Sequence, residues 1–211
     1  MNIARTPKTY RSDYWQSLRK IRQIQQEPLP WMNYLVIQYL DSQIPRNSKI
    51  FEYGSGSSTE YWLNKDCRVT SIEHDRAFYR EMEDRLTGRC EYHLVESESA
   101  VDARRLSPDC PDSFVSADFK EFNFERYVKS IDTFENETFD MVVVDGRARP
   151  SCIKRAIPKI KSQGLLVLDN SDRKYYLIKT GKLLNGWQSR TFRGTVRGLL
   201  HLEQTTVFRK P

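Results

Sequence analysis

Apolar residues near the start of the chain recur at three- and four-residue intervals. In residues 10–27 they are Tyr14, Leu18, Ile21 and Ile24, which predicts one face of a helix. Leu29-Pro30 breaks that run. Residues 31–43 then read as a second helix, rich enough in apolar positions to pack on a core, and Pro45 closes it. From Lys49 the pattern changes to strands alternating with helices. Strands are predicted at 49–54, 68–75, 90–97, 139–146 and 164–170, with helices at 57–65, 75–87, 150–161 and 172–184. Serines suited to capping open the first of these helices. Pro150 stands at the start of the third, and Pro158 disturbs its end. Four consecutive apolar residues from Met141 to Val144 predict a parallel strand buried on both faces. Residues 98–117, with Pro108 and Pro111, read as irregular, and residues 118–134 as helical. The segments 187–194 and 204–210 read as an antiparallel pair at the sheet edge.

This repetition implies an α/β fold, a mostly parallel sheet with right-handed crossovers. The expected organisation is one domain over residues 48–211, preceded by a helical extension over residues 1–47. A chain of 211 residues can bury a full core without staples, removing roughly 70% of its extended-state surface from water. Hydrophobic residues at 38% and charged residues at 29% exclude a disordered chain. No apolar run approaches the ~20 residues that span a bilayer, so no membrane partner is expected. The first residues lack an apolar h-region, so no secretory signal is expected, and the cytoplasm is the expected compartment. Cys67, Cys90, Cys110 and Cys152 form no CxxC pair, which reads as reduced thiols rather than a disulfide frame or zinc site. Charge is unevenly placed: residues 147–211 carry fifteen Lys and Arg against three acids, a net of +12, so residues 1–146 carry −6 of the total of +6. That asymmetry suits an anionic partner, or else simply a basic surface. The cations are spread rather than clustered with aromatics, so nucleic acid is not the favoured partner.

The chemistry concentrates at predicted strand ends. Glu52-Tyr53-Gly54-Ser55-Gly56 forms a glycine turn between the first strand and a helix N-terminus, where a ligand can lie against bare backbone. A dinucleotide fingerprint would place a third glycine at Thr59, and a phosphate-cradling loop would end in GK[ST]; neither is present. Glu52 would repel a pyrophosphate but suits the ammonium and sulfonium charges of S-adenosylmethionine. Glu73 closes the second strand, where an acid can accept hydrogen bonds from both ribose hydroxyls. Asp75 is the better cap for the following helix, which frees Glu73, and His74 between them reads as a loop residue. Asp145 ends the strand at 139–146, and Asp169 with Asn170 ends the strand at 164–170. In a parallel sheet all of these face one crevice. Asp145, Asp169 and Asn170 are hard oxygen ligands suited to Mg²⁺ or another divalent cation; alternatively Asp145 positions substrate and Asp169-Asn170 cap the segment after them.

EYGSGSS, TSIEHD, FDMVVVDGR and LLVLDNSDR, in that order and spacing, resemble the class I S-adenosylmethionine-dependent methyltransferases over roughly residues 48–211. The resemblance implies a Rossmann-like seven-stranded sheet in the order 3-2-1-4-5-7-6, with strand 7 antiparallel. It implies that Glu52, Gly54, Ser55 and Gly56, with Ser58 and Asp145, line the cofactor and that Glu73 binds its ribose. The D…DN pair is similar to cation-dependent O-methyltransferases of the catechol and caffeoyl-CoA type, in which matching positions hold a metal. Those enzymes carry a lysine base a few residues past the first Asp. Here the stretch is Gly146-Arg147-Ala148-Arg149, so Arg147 can stabilise an oxyanion but take no proton, and Lys154 one turn later is the remaining candidate. The wording is also similar to methyltransferases found beside sugar and polysaccharide genes. The expectation is methyl transfer to an oxygen of a small-molecule or glycan acceptor. RNA methylation and a non-catalytic cofactor-binding module are the alternatives, and the aromatic N-terminal helices offer a surface for a homodimer.

Overall fold

The first described helix is fastened to the far edge of the sheet by one side chain. In this computed structural model, which describes residues 28–197 and 201–211, Asn33 caps α1 (Tyr34–Gln43) by accepting from the Val36 amide at 3.1 Å. The same fully buried amide group donates to Thr205 Oγ1 at 3.0 Å and to the Phe192 carbonyl at 3.4 Å. Val36, Ile37 and Leu40 below it are wholly buried. The helix expected over residues 10–27 lies outside the described residues.

Strand–helix alternation follows from Lys49. In order come β1 (Lys49–Tyr53), α2 (Ser57–Asn64), β2 (Arg68–Glu73), α3 (Arg76–Leu86) and β3 (Glu91–Leu94). Asp75 caps α3 as expected, accepting from the amides of Ala77 and Phe78. A small hairpin of β4 (Glu98–Ser99) and β5 (Phe122–Asn123) and a short helix α4 (Glu125–Lys129) cover one face. There follow β6 (Phe139–Val144), α5 (Arg149–Ala156), β7 (Ile160–Leu168), α6 (Tyr175–Ile178), β8 (Gln188–Thr195) and β9 (Leu202–Arg209). The main sheet has seven strands in the order β3-β2-β1-β6-β7-β9-β8. Counting only these strands, that is 3-2-1-4-5-7-6, and the last strand runs antiparallel to both neighbours.

Side-chain parity divides the core in two. Along β6, Met141 and Val143 face one side with Ile50, Leu165, Val167 and Trp62 from α2, where α1 packs. Val142 and Val144 face the other with Phe51, Tyr53, Leu166 and Leu168, covered by Tyr127, Cys152 and Ile153. A strand with apolar residues at every position is what a helix layer on each face requires.

Three expectations are corrected. Residues 118–134 are not one helix: the Asn123 side chain accepts from the Glu125 amide at 2.7 Å, so helix starts only at Glu125, with a 3₁₀ turn over 130–133 after it. Residues 172–184 form only α6 and a 3₁₀ turn at 181–184, because Thr180 Oγ1 donates back to the Tyr176 carbonyl and Gly181 follows. The strand expected from Gly164 begins at Ile160, after α5 has stopped ahead of Pro158. Residues 28–47 pack directly on the sheet, so the fastening at Asn33 is testable. Asn33→Ala should lower unfolding free energy by about 1–2 kcal/mol in a denaturant titration, the loss of a cap and a buried hydrogen bond together.

Candidate functional site

Parallel pairing carries the strand ends into line. The Gly54 amide donates to the Ile72 carbonyl at 2.9 Å, Asp145 N to Tyr53 O at 3.0 Å, and Asp169 N to Val144 O at 3.3 Å. The glycine turn, Glu73, Asp145 and Asp169 therefore lie along one edge, at the carboxyl ends of four neighbouring strands. Gly54 has φ +94°, and a Cβ there would meet Gly146 N at 3.1 Å. A Cβ on Gly146 would meet Tyr127 Oη at 1.9 Å. Gly54 is required by its left-handed φ and its approach to Gly146, and Gly146 by the Tyr127 hydroxyl packed over it. The Tyr127 hydroxyl is buried there without a hydrogen-bond partner among the described residues.

Glu73 is held by four donors. Its Oε2 accepts from Ser55 N at 3.0 Å and Ser55 Oγ at 2.8 Å, and its Oε1 from the His74 and Asp75 amides, both at 2.8 Å. Burial acts to raise its pKa, but the His74 side chain and these amides outweigh it and bring the carboxyl down to about 2. Ser55 Oγ also lies 2.9 Å from Tyr92 Oη, whose ring stacks on Tyr79.

Glu52 departs from its expected place. It is fully buried, and its carboxylate accepts from Ser58 Oγ, from Thr59 Oγ1 at 2.5 Å and from Ser71 Oγ at 3.3 Å. Burial pushes its pKa up to about 7 against the pull of those hydroxyls. Glu52 and Ser58 therefore face each other and fix the start of α2 rather than the crevice.

Arg147 reaches across the crevice. Its Nε donates to His74 Nε2 at 3.1 Å, its guanidinium lies 4.3 Å from the centre of the Phe119 ring, and Asp118 stands 3.7 Å away. His74, expected to be a loop residue, thus sits between Arg147 and Glu73, with Nδ1 2.8 Å from Glu73 Oε1. No sequence signal marked it beyond its place between two acids. Lys154 is corrected as a candidate base: it is half-buried and engaged by both oxygens of Asp112, at 2.6 and 2.8 Å. A base must reach the proton it removes.

Asp145, Asp169, Asn170, Glu203 and the exposed Trp31 line a recess of about 200 Å³. Burial, and then the charge of Asp169 beside it, push Asp145 well above the usual carboxylate range; burial raises Asp169 as well. The side chains do not fit a divalent ion. Arg149 Nη2 donates to Asp145 Oδ1 at 3.0 Å and to Asn170 Oδ1 at 3.1 Å, while Thr205 Oγ1 donates to Asp169 Oδ1 at 2.6 Å. One side-chain oxygen of each of the three residues meant for metal is already a hydrogen-bond acceptor. Among the described residues, no cluster of three or more His, Cys, Asp or Glu side chains is arranged for a metal.

The chain matches no family model and no curated protein sequence. Solved structures do resemble it. A precorrin-6y C5,15-methyltransferase from Geobacter metallireducens is similar over 83% of this chain and 87% of its own, at 15% identity and TM-score 0.53. A TehB-like SAM-dependent methyltransferase from Corynebacterium glutamicum is similar over 97% of this chain and all of its own, at 12% identity and TM-score 0.51. The 1,6-didemethyltoxoflavin-N1-methyltransferase of Burkholderia thailandensis, with bound 1,6-didemethyltoxoflavin and S-adenosylhomocysteine, is similar over the whole of this chain and 92% of its own, at 14% identity and TM-score 0.50. The chain spans 54% of the length of a spermidine synthase from Thermotoga maritima (79% of this chain, 11% identity, TM-score 0.48). This is the class I methyltransferase fold. Its strand order and antiparallel last strand are those expected from the sequence motifs.

The Glu52 carboxyl gives a pH signature. Folded, it keeps its proton up to about pH 7; unfolded, it loses it near 4.5. Between these values unfolding releases a proton, so the stability it contributes is complete below about pH 4.5 and is lost as the pH rises through about 7. The difference in unfolding free energy between the wild type and Glu52→Gln should therefore fall by on the order of 3 kcal/mol across that window and stay level above it.

Proposed function

We propose that the chain binds S-adenosylmethionine along the strand-end crevice and transfers its methyl group to an oxygen of a small hydroxyl-bearing molecule or glycan. The observation that carries this reading is Glu73: an ionised carboxylate at the end of β2, facing the Gly54-Ser55-Gly56 turn and already accepting a hydroxyl from Ser55 at 2.8 Å. Ribose hydroxyls would take the place of the Ser55 hydroxyl there. Gly54 and Gly56 leave bare backbone for the methionine end, and Tyr92 with Tyr79 supplies an aromatic wall. The sulfonium supplies the methyl group, and the protein's part is alignment and proton removal.

The acceptor would enter the recess at Asp145, the carboxylate there whose raised pKa suits a general base. Asp145 and Asp169 with Glu203 make that mouth acidic, which suits a neutral acceptor better than the anionic one expected from the charge count. An RNA substrate is disfavoured because basic residues of the C-terminal part are engaged by acids from the rest of the chain, among them Arg155 with Asp132, Lys161 with Asp140 and Lys179 with Asp109. Among the described residues, no helix is long and apolar enough to cross a membrane.

S-adenosylhomocysteine should raise the melting temperature saturably in a thermal-shift titration. Glu73→Ala should weaken that binding about 10–100-fold, the loss expected for hydrogen bonds to a charged group. Asp145→Ala should retain the binding by calorimetry while abolishing methyl transfer from labelled cofactor. Stabilisation by NAD, with none by S-adenosylhomocysteine, would refute the assignment.

A further inference from the structure

A cation already stands among the oxygens that gather at the ends of β6 and β7. Arg149 enters from the first turn of α5 and is 6% exposed. Its Nε donates to the Gly146 carbonyl at 3.0 Å and its Nη1 to the Asp169 carbonyl at 2.5 Å. Its Nη2 serves the Asp145 carbonyl at 2.9 Å, Asp145 Oδ1 at 3.0 Å and Asn170 Oδ1 at 3.1 Å. The guanidinium carbon lies 5.2 Å from the centre of the Tyr176 ring. All three nitrogens are therefore occupied by protein acceptors.

Two of the seven left-handed non-glycine residues among the described ones lie at the same place. Ala148 has φ 47° and Asn170 φ 45°, a left-handed conformation that costs a residue with a Cβ about 1–2 kcal/mol. These two bends turn the loops after β6 and β7 toward each other so that Arg149 and Asn170 meet. A divalent ion would need the same carboxylate and carbonyl lone pairs at about 2.0–2.6 Å. It would also have to displace a group that keeps its charge at any ordinary pH.

We propose that Arg149 is a resident cation that takes the place of a divalent metal in this cluster, holding Asp145 and Asn170 in position, so that the cluster neither needs nor accepts a metal ion. It is a positioning residue, acting through Asp145. The proposal is independent of methyl transfer, since a metal titration requires neither cofactor nor acceptor.

Mn²⁺ titrated into the chelator-treated full chain and followed by electron paramagnetic resonance tests it. The wild type should show no saturable site tighter than about 1 mM. Arg149→Ala should expose the oxygens and gain a site at least about tenfold tighter, lost again in the double variant Arg149→Ala/Asp145→Asn. A wild-type site tighter than that limit and abolished by Asp145→Asn would overturn the proposal, as would a folded Arg149→Ala that binds no more Mn²⁺ than the wild type. If Arg149→Ala does not fold, the wild-type titration with its Asp145→Asn control decides: no site supports the proposal, and a site sensitive to Asp145 refutes it.

Discussion

The ends of β6 and β7 bring two carboxylates side by side, and the buried guanidinium of Arg149 is what allows them to stay there. Parallel pairing runs Val144 beside Leu168 and then sets Asp145 next to Asp169. Two carboxyls so close, Asp169 buried and Asp145 partly so, resist being ionised together, and a cation beside them lowers that cost. Arg149 supplies it and bonds backbone carbonyls from both loops as well, so charge neutralisation and loop closure are one interaction. Removing one partner of such a buried pair typically costs about 3–5 kcal/mol, because the others are left uncompensated. The helix that carries Arg149 is itself anchored by Cys152, Ile153 and Ala156, wholly buried beneath the sheet. The core thus sets the position of the guanidinium, and the guanidinium sets the geometry of the recess.

The same logic accounts for the uneven charge of the chain. A basic C-terminal part and an acidic remainder look, in sequence, like a surface awaiting an external partner. Folded, they meet: Arg147 and Arg173 flank Asp118, Lys154 meets Asp112, and Lys210 meets Glu137. Most of these pairs are partly exposed and contribute little stability each. Their effect is on the field, since each one cancels a charge that a distant anion would otherwise feel.

The sheet was legible because burial on both faces leaves an apolar run in β6 and β7, and because Gly54, Glu73, Asp145 and Asp169 each stand at or just past the end of a predicted strand. Such signals are local. What stayed hidden depends on partners far along the chain. Asn33 reads as an ordinary polar residue until β8 and β9 arrive beside it, more than 150 positions later. Arg149 reads as one of several basic residues until Asn170 comes within reach. The helices expected at 118–134 and 172–184 are shortened by single side chains, Asn123 and Thr180, bonding to nearby backbone, a competition that periodicity cannot weigh. The donors at the ends of β6 and β7 stayed hidden for a related reason: the sequence shows which oxygens converge but not which donors reach them first.

Glu52 and Glu73 show how far environment outweighs residue type in deciding which acid can serve a ligand. Both are buried, and both lie at or near the end of neighbouring strands. Glu52 has only hydroxyl donors, with the like charge of Glu73 nearby, so desolvation prevails and its pKa rises to about 7. Glu73 lies where backbone amides turn into α3 and His74 stands beside it, so the ionised form prevails at about 2. A carboxyl that keeps its proton until neutrality is a poor partner for a sulfonium but a sound internal brace, and α2 rests on it. The ionised Glu73 instead presents a charged acceptor to the crevice, held by the His74 side chain, the Ser55 hydroxyl and three backbone amides. On this side of the crevice the standing negative charge is therefore at the end of β2, while the glycine turn offers backbone rather than an ionised carboxylate.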